Sequence, residues 1–171
     1  DAVSAEALLE RALKAGGMVY LRATRAALPV LYRSTQRFVI GGSHVLRSST
    51  NDVATVVAAG VTLHEALRAA DLLAKRNIHV RVIDLYSVKP IDTTTLKQAA
   101  RQTRHLIVVE DHEAEGGIAE AVRSALGSTA TTVTSLAVRK TPKSGAPEEL
   151  LAYEGINATE IVKAVQRRKR S

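Results

Sequence analysis

Arg22 and Arg25 stand three residues apart, directly after the short apolar run Met18–Leu21. If that run is a strand of a parallel sheet, both guanidinium groups lie at its C-terminal edge. Arginine presents a planar fork of donors that matches a phosphate. A phosphate-binding role for Arg25 is therefore chemically sensible beside the plainer reading of a surface arginine. A second segment, Glu110-Asp111-His112-Glu113-Ala114-Glu115-Gly116-Gly117, places four carboxylates and a histidine within six residues. It follows an apolar run, and in open α/β sheets that edge is where ligands bind. Its spacing matches neither HExxH nor an EF-hand loop. It reads as a polar loop that caps a helix, with the glycines allowing close backbone approach. A contact between domains or subunits and a metal site are the alternatives. Gly60-Val61-Thr62 forms a strand-to-helix turn whose N–H groups are suited to an anion. It lacks the GxGxxG and GxxxxGK[ST] patterns, so no nucleotide site is indicated, and a capped helix is expected. His64, in the first turn, reads as a surface or core histidine.

These groups need a scaffold. Ser4–Ala15 has Leu8, Leu9, Ala12 and Leu13 on one helical face and is stopped by Gly16-Gly17. Met18–Leu21 reads as a strand, and Leu31 to Ser43 has no strong period and reads as an extended linker. A regular pattern follows, with strands expected at 53–59, 80–85, 106–109 and 133–138. Thr62 and Glu65 have capping-box spacing, which starts a helix at Thr62 and carries it to about Lys75. Asp92 caps the next helix, Gly116-Gly117 lead into another that ends at Gly127, Pro147 opens a short one, and Asn157 and Glu160 mark the last. Apolar strands alternating with helices imply an α/β fold, a mostly parallel sheet flanked by helices on both faces. The opening helix–strand pair cannot bury its own apolar faces and is expected to complete a sheet of another α/β domain.

Composition narrows the function classes. Hydrophobic residues make up 46% of the 171, which predicts a packed core. With no cysteine, disulfides, thiolate nucleophiles and cysteine zinc sites are excluded, and a cytoplasmic setting is expected. No apolar run reaches the roughly 20 residues that span a bilayer, and the first residues do not read as a signal peptide. The net charge is +7, but four cations sit in the run Arg167-Arg168-Lys169-Arg170, which reads as a solvated tail. Four tyrosines and one phenylalanine offer little for stacking single strands, so neither nucleic acid nor membrane is expected as a partner.

Four ordered blocks resemble the C-terminal domain of transketolases, in their animal-type branch: Ala59–Leu67, Val80–Asp92, Val109–Val122 and Thr141–Leu151. Residues 1–32 resemble the last helix and strand of the preceding pyrimidine-binding domain, 33–43 a linker, and 44–171 the C-terminal domain. The resemblance implies transfer of a two-carbon ketol unit from a ketose phosphate to an aldose phosphate. It implies thiamine diphosphate and a divalent cation, Mg or Ca, in the complete enzyme, with the remaining N-terminal part and a homodimer partner. The diphosphate-binding Gly-Asp-Gly…Asn motif and the glutamate that activates the aminopyrimidine are absent from this sequence, so no catalytic, cofactor or metal residue is assigned and the chain alone is expected to be inactive. One substrate residue carries over. Thr24-Arg25 matches a Ser-Arg pair whose arginine binds the sugar phosphate; Ala26-Ala27 departs from the Pro-Glu or Gln-Asn that often follows. Arg22 is the second candidate. The alternative is a non-catalytic subunit or interaction domain of the deoxyxylulose-phosphate synthase or 2-oxoacid dehydrogenase β-subunit type, against which stands Tyr86 in place of an arginine.

Overall fold

The computed structural model describes residues 1–167. A helix, α1 (Ala2–Ala15), opens the chain and is followed by strands β1 (His44–Arg47) and β2 (Asp52–Ala58), helix α2 (Val61–Ala74), β3 (His79–Asp84), α3 (Thr93–Thr103), β4 (His105–Glu113), α4 (Ile118–Leu126), β5 (Thr132–Val138), α5 (Pro147–Glu154) and α6 (Ala158–Arg167). The strands form one sheet in the order β1-β3-β2-β4-β5, parallel throughout except for β1, which runs antiparallel to β3.

Period-two alternation divides the strand side chains between two cores. Ala54, Val56 and Ala58 of β2, with Val80, Val82, Ile107 and Val109, pack against α2 and α6 through Leu63, Ala66, Leu73, Ile161 and Val165. Val57, Ile83, Leu85, Leu106 and Val108 face α3 and α4 through Leu96, Ala99, Ala100, Ala119 and Val122. Both faces of the central strands are thus covered, which is why those strands are nearly continuous in apolar residues.

The structure corrects four local expectations. Met18–Leu21 is not a strand: Met18 is fully exposed and Tyr20 is 85% exposed. A strand exists only through ladder bonds to a neighbour, and no described residue supplies one there. The antiparallel edge strand β1 begins directly after the 31–43 stretch, at a place where the sequence pattern predicts no strand. β4 continues past Val109 to Glu113, so the acidic segment begins inside the sheet. Thr62 and Glu65 do not form a capping box. The N-cap position of α2 is Gly60, at φ 59°, and Thr62 lies inside the helix, its hydroxyl bonded to the carbonyls of Ala59 (3.0 Å) and Val109 (2.9 Å). Glu65 instead accepts the Ala158 N–H at 2.7 Å and so caps α6 from another helix. Other signals act as their types suggest: Asp92 accepts from Thr95 N–H, Pro147 opens α5, Asn157 accepts from Glu160 N–H, and Gly16 and Gly127 close α1 and α4.

The 33–43 stretch has no regular structure but is anchored. Phe38 is 1% exposed and stacks edge-on against Tyr32 and Tyr86. Arg167 ends α6; Arg168, Lys169 and Arg170 of the basic run lie outside the described residues.

Candidate functional site

The C-terminal ends of β2 and β4 lie side by side in the sheet. β2 leaves through Gly60, whose positive φ turns the chain sharply into α2, a conformation that side-chain-bearing residues adopt at a cost. β4 leaves through Glu110 to Glu113. The segment from Met18 to Ala26 lies over these ends as a strap. Arg22 Nη2 donates to the Asp111 carbonyl at 2.7 Å and stands 3.7 Å from the Asp111 carboxylate. Thr24 Cγ2 reaches within 4.0 Å of where a Cβ on Gly60 would sit. The Thr24 hydroxyl donates to the Ala26 carbonyl at 3.3 Å across a bend whose apex is Arg25. The two arginines therefore differ. Arg22 is engaged with β4, whereas Arg25 is exposed and makes no side-chain hydrogen bond or ion pair with a described residue. A free, solvated guanidinium at the carboxyl edge of a parallel sheet is suited to grip a phosphate through two parallel bonds.

The acidic segment resolves into separate tasks. Glu110 is 1% exposed and directs its carboxylate to the backbone N–H groups of Ile118 and, at 3.1 Å, Ala119. It therefore neutralises two orphan donors and the positive end of the α4 dipole. Gly117 passes so close to this carboxylate that a Cβ has no room. Glu120 holds Gly116 N–H at 2.9 Å, and His112 Nδ1 meets the Glu113 carbonyl at 2.8 Å. Among the described residues no group of three or more His, Asp or Glu side chains is placed to hold a metal ion. Nearby, Glu113, Glu115, Val138, Arg139 and Lys140 line an open cleft of about 250 Å³.

At the end of β3, Asp84 is buried and accepts the Tyr32 hydroxyl at 2.6 Å. Burial pushes its carboxyl up to about 6, and burial together with the facing carboxylate pushes the Tyr32 phenol up. His44 and Tyr86 complete an aromatic group around Phe38. Burial holds the His44 and His64 imidazoles below the ordinary value. Sequence reasoning singled out Arg22 and Arg25 as candidates and read 110–117 as helix-capping, which the Glu110 bonds to Ile118 and Ala119 bear out. It missed Asp111 as the partner of Arg22 and Asp84 as the partner of Tyr32, pairs separated by 89 and 52 positions. The only local signal for either was an acidic residue at a strand end.

Residues 42–161 match the family described as transketolase, C-terminal domain. The chain is 46% identical over 168 residues to transketolase-like protein 2 of Mus musculus and 43% identical over 168 residues to transketolase of Homo sapiens. Each alignment takes in 97% of this chain and 27% of the relative, so the chain spans about a quarter of their length. Among solved structures, a split-gene transketolase described as an inactive beta4 tetramer superposes with a TM-score of 0.91 at 33% identity, over 98% of this chain and 55% of that one. A transketolase from Campylobacter jejuni shares the fold, with a TM-score of 0.59 at 15% identity over 80% of this chain and 20% of that one.

Proposed function

This chain belongs to the transketolase family, and we propose that it forms the C-terminal part of a thiamine-diphosphate-dependent transketolase. The complete enzyme moves a two-carbon ketol unit from a ketose phosphate to an aldose phosphate. Residues 1–32 complete the pyrimidine-binding domain, 33–43 link, and 44–171 form the C-terminal domain that supports dimerisation. The partners are the remaining N-terminal part and a second copy of the enzyme, with no nucleic acid or membrane, and the setting is cytoplasmic. No described helix is long and apolar enough to cross a membrane.

Thiamine diphosphate and a divalent cation supply the chemistry of ketol transfer when bound. Both groups are assigned to the rest of the enzyme on the ground that the Gly-Asp-Gly…Asn motif and the activating glutamate are absent from this sequence. The role left to this chain is binding. Arg25 receives the terminal phosphate of the sugar, and the observation that carries this is its unengaged guanidinium on a strap over the carboxyl ends of β2 and β4. The inactive tetramer named for the split-gene relative agrees with a chain of this kind lacking activity on its own.

The test is ketol transfer by the complete enzyme with Arg25→Ala. Losing an exposed charge-assisted phosphate contact is expected to raise KM for ketose phosphates about 10-fold, with little effect on an unphosphorylated ketose. An unchanged KM removes Arg25 from the role.

A further inference from the structure

Arg22 and Arg25 lie on the same strap, yet only one is free. We propose that Arg22 is a positioning residue: through Asp111 it fastens the strap to the end of β4 and thereby sets where Arg25 stands. This rests on the reading of Arg25 as the phosphate ligand.

The geometry carries it in three steps. The strap has no ladder of its own, since no described residue from Gly16 to Ser43 belongs to a helix or strand. Its place is therefore set by individual contacts. Of its polar side-chain contacts, the one that reaches the sheet is the Arg22 hydrogen bond to the Asp111 carbonyl, 2.7 Å long, with the Asp111 carboxylate at 3.7 Å. A main-chain carbonyl at the end of a parallel strand is a rigid acceptor, whereas a surface ion pair at that separation contributes little. The anchor is thus chiefly the carbonyl, which survives substitution of the Asp111 side chain. Between this anchor and Arg25 are two residues, and one of them, Thr24, braces the bend through the Ala26 carbonyl and packs over Gly60. Displacement of Arg22 is passed to Arg25 through a segment of two residues, too short to absorb it. A phosphate gripped by two parallel bonds tolerates little misplacement of the fork.

The hydrogen bond to the Asp111 carbonyl engages one of the five N–H donors of Arg22, and a double variant with Arg25 distinguishes positioning from direct phosphate contact.

The experiment is steady-state ketol transfer by the complete enzyme, with a ketose phosphate and with an unphosphorylated ketose. Arg22→Ala is expected to raise KM for the phosphorylated donor about 5-fold while kcat changes less than about twofold and the unphosphorylated donor is unaffected. Arg22→Lys restores part of the loss, because an ammonium still donates to the carbonyl. Asp111→Asn, which keeps the carbonyl, has the smaller effect. The double variant Arg22→Ala/Arg25→Ala is no worse than Arg25→Ala alone, because Arg22 acts through Arg25.

Fully additive losses in the double variant overturn the positioning role and make Arg22 a direct ligand. An unchanged KM in Arg22→Ala beside an impaired Arg25→Ala overturns the positioning role and leaves the reading of Arg25 standing. An unchanged KM in Arg25→Ala overturns that reading, and the positioning role falls with it. Thermal unfolding of each variant separates a general loss of folded enzyme, which lowers kcat with both donors, from the donor-specific rise in KM.

Discussion

Gly117 runs against the carboxylate of Glu110 so closely that no side chain fits between them. A buried acid thus reaches the N–H groups that open α4, where water cannot satisfy them. Gly117→Ala is expected to push the carboxylate off its donors and destabilise the domain, outweighing the small stabilisation that a less free unfolded chain gives at this extended, negative-φ position. Glu110→Gln keeps one acceptor and costs less, about 1–3 kcal/mol for a partly unmet buried donor pair. Urea unfolding of the two variants checks the order, and Gly117→Ala as stable as wild type would remove the close approach.

Glu65 joins two helices that are ninety-three positions apart, accepting the Ala158 N–H at 2.7 Å while nearly fully buried. Glu65→Ala leaves that donor orphaned, and a loss of about 1–3 kcal/mol is expected. Arg68→Ala, which removes only the exposed partner of the same carboxylate, is expected to cost well under that. Equal losses in the two variants, measured by chemical denaturation, contradict this division.

The Asp84 carboxyl binds its proton more tightly in the folded protein, at about 6, than in the unfolded chain, at about 3.8. Its contribution to stability is therefore complete below the unfolded value and is lost as pH rises through the folded one. That gap corresponds to about 3 kcal/mol between the two limits. The difference in unfolding free energy between wild type and Asp84→Asn is expected to move against wild type from pH 4 to about 6, with the Tyr32 hydrogen bond retained by the amide. A flat difference across that window shows that folding leaves the Asp84 carboxyl at its unfolded value.

Leu9, Leu13, Met18 and Tyr20 leave a run of exposed apolar surface on α1 and the strap. Taken without the rest of the enzyme, the chain is expected to self-associate through it. Sedimentation velocity of Leu13→Glu/Tyr20→Glu is expected to show a shift to smaller species. If the wild-type chain sediments as a monomer, this surface does not drive association.

Much of the central architecture was written in short-range pattern. Val53–Ala59, apart from Thr55, and Leu106–Val109 are continuous in apolar residues because both faces are covered, and that pattern implies a parallel sheet between helices. Asp92, Pro147 and the Gly-Gly entry to α4 act on neighbours within a few residues, so their roles were legible too. Thr62 and Glu65 show where this stops. Their spacing fits a capping box, but burial offered each a better partner, Val109 for one and Ala158 for the other.

The sequence by itself determined the class of fold, the order of the central elements and the residue types available for gripping a phosphate. Only the tertiary structure decided which arginine is engaged and which is free. That choice depends on Asp111 arriving beside Arg22 from a strand eighty-nine positions away. Local pattern carries no record of such a meeting, because hydrogen bonds act over a few ångströms in space and not along the chain.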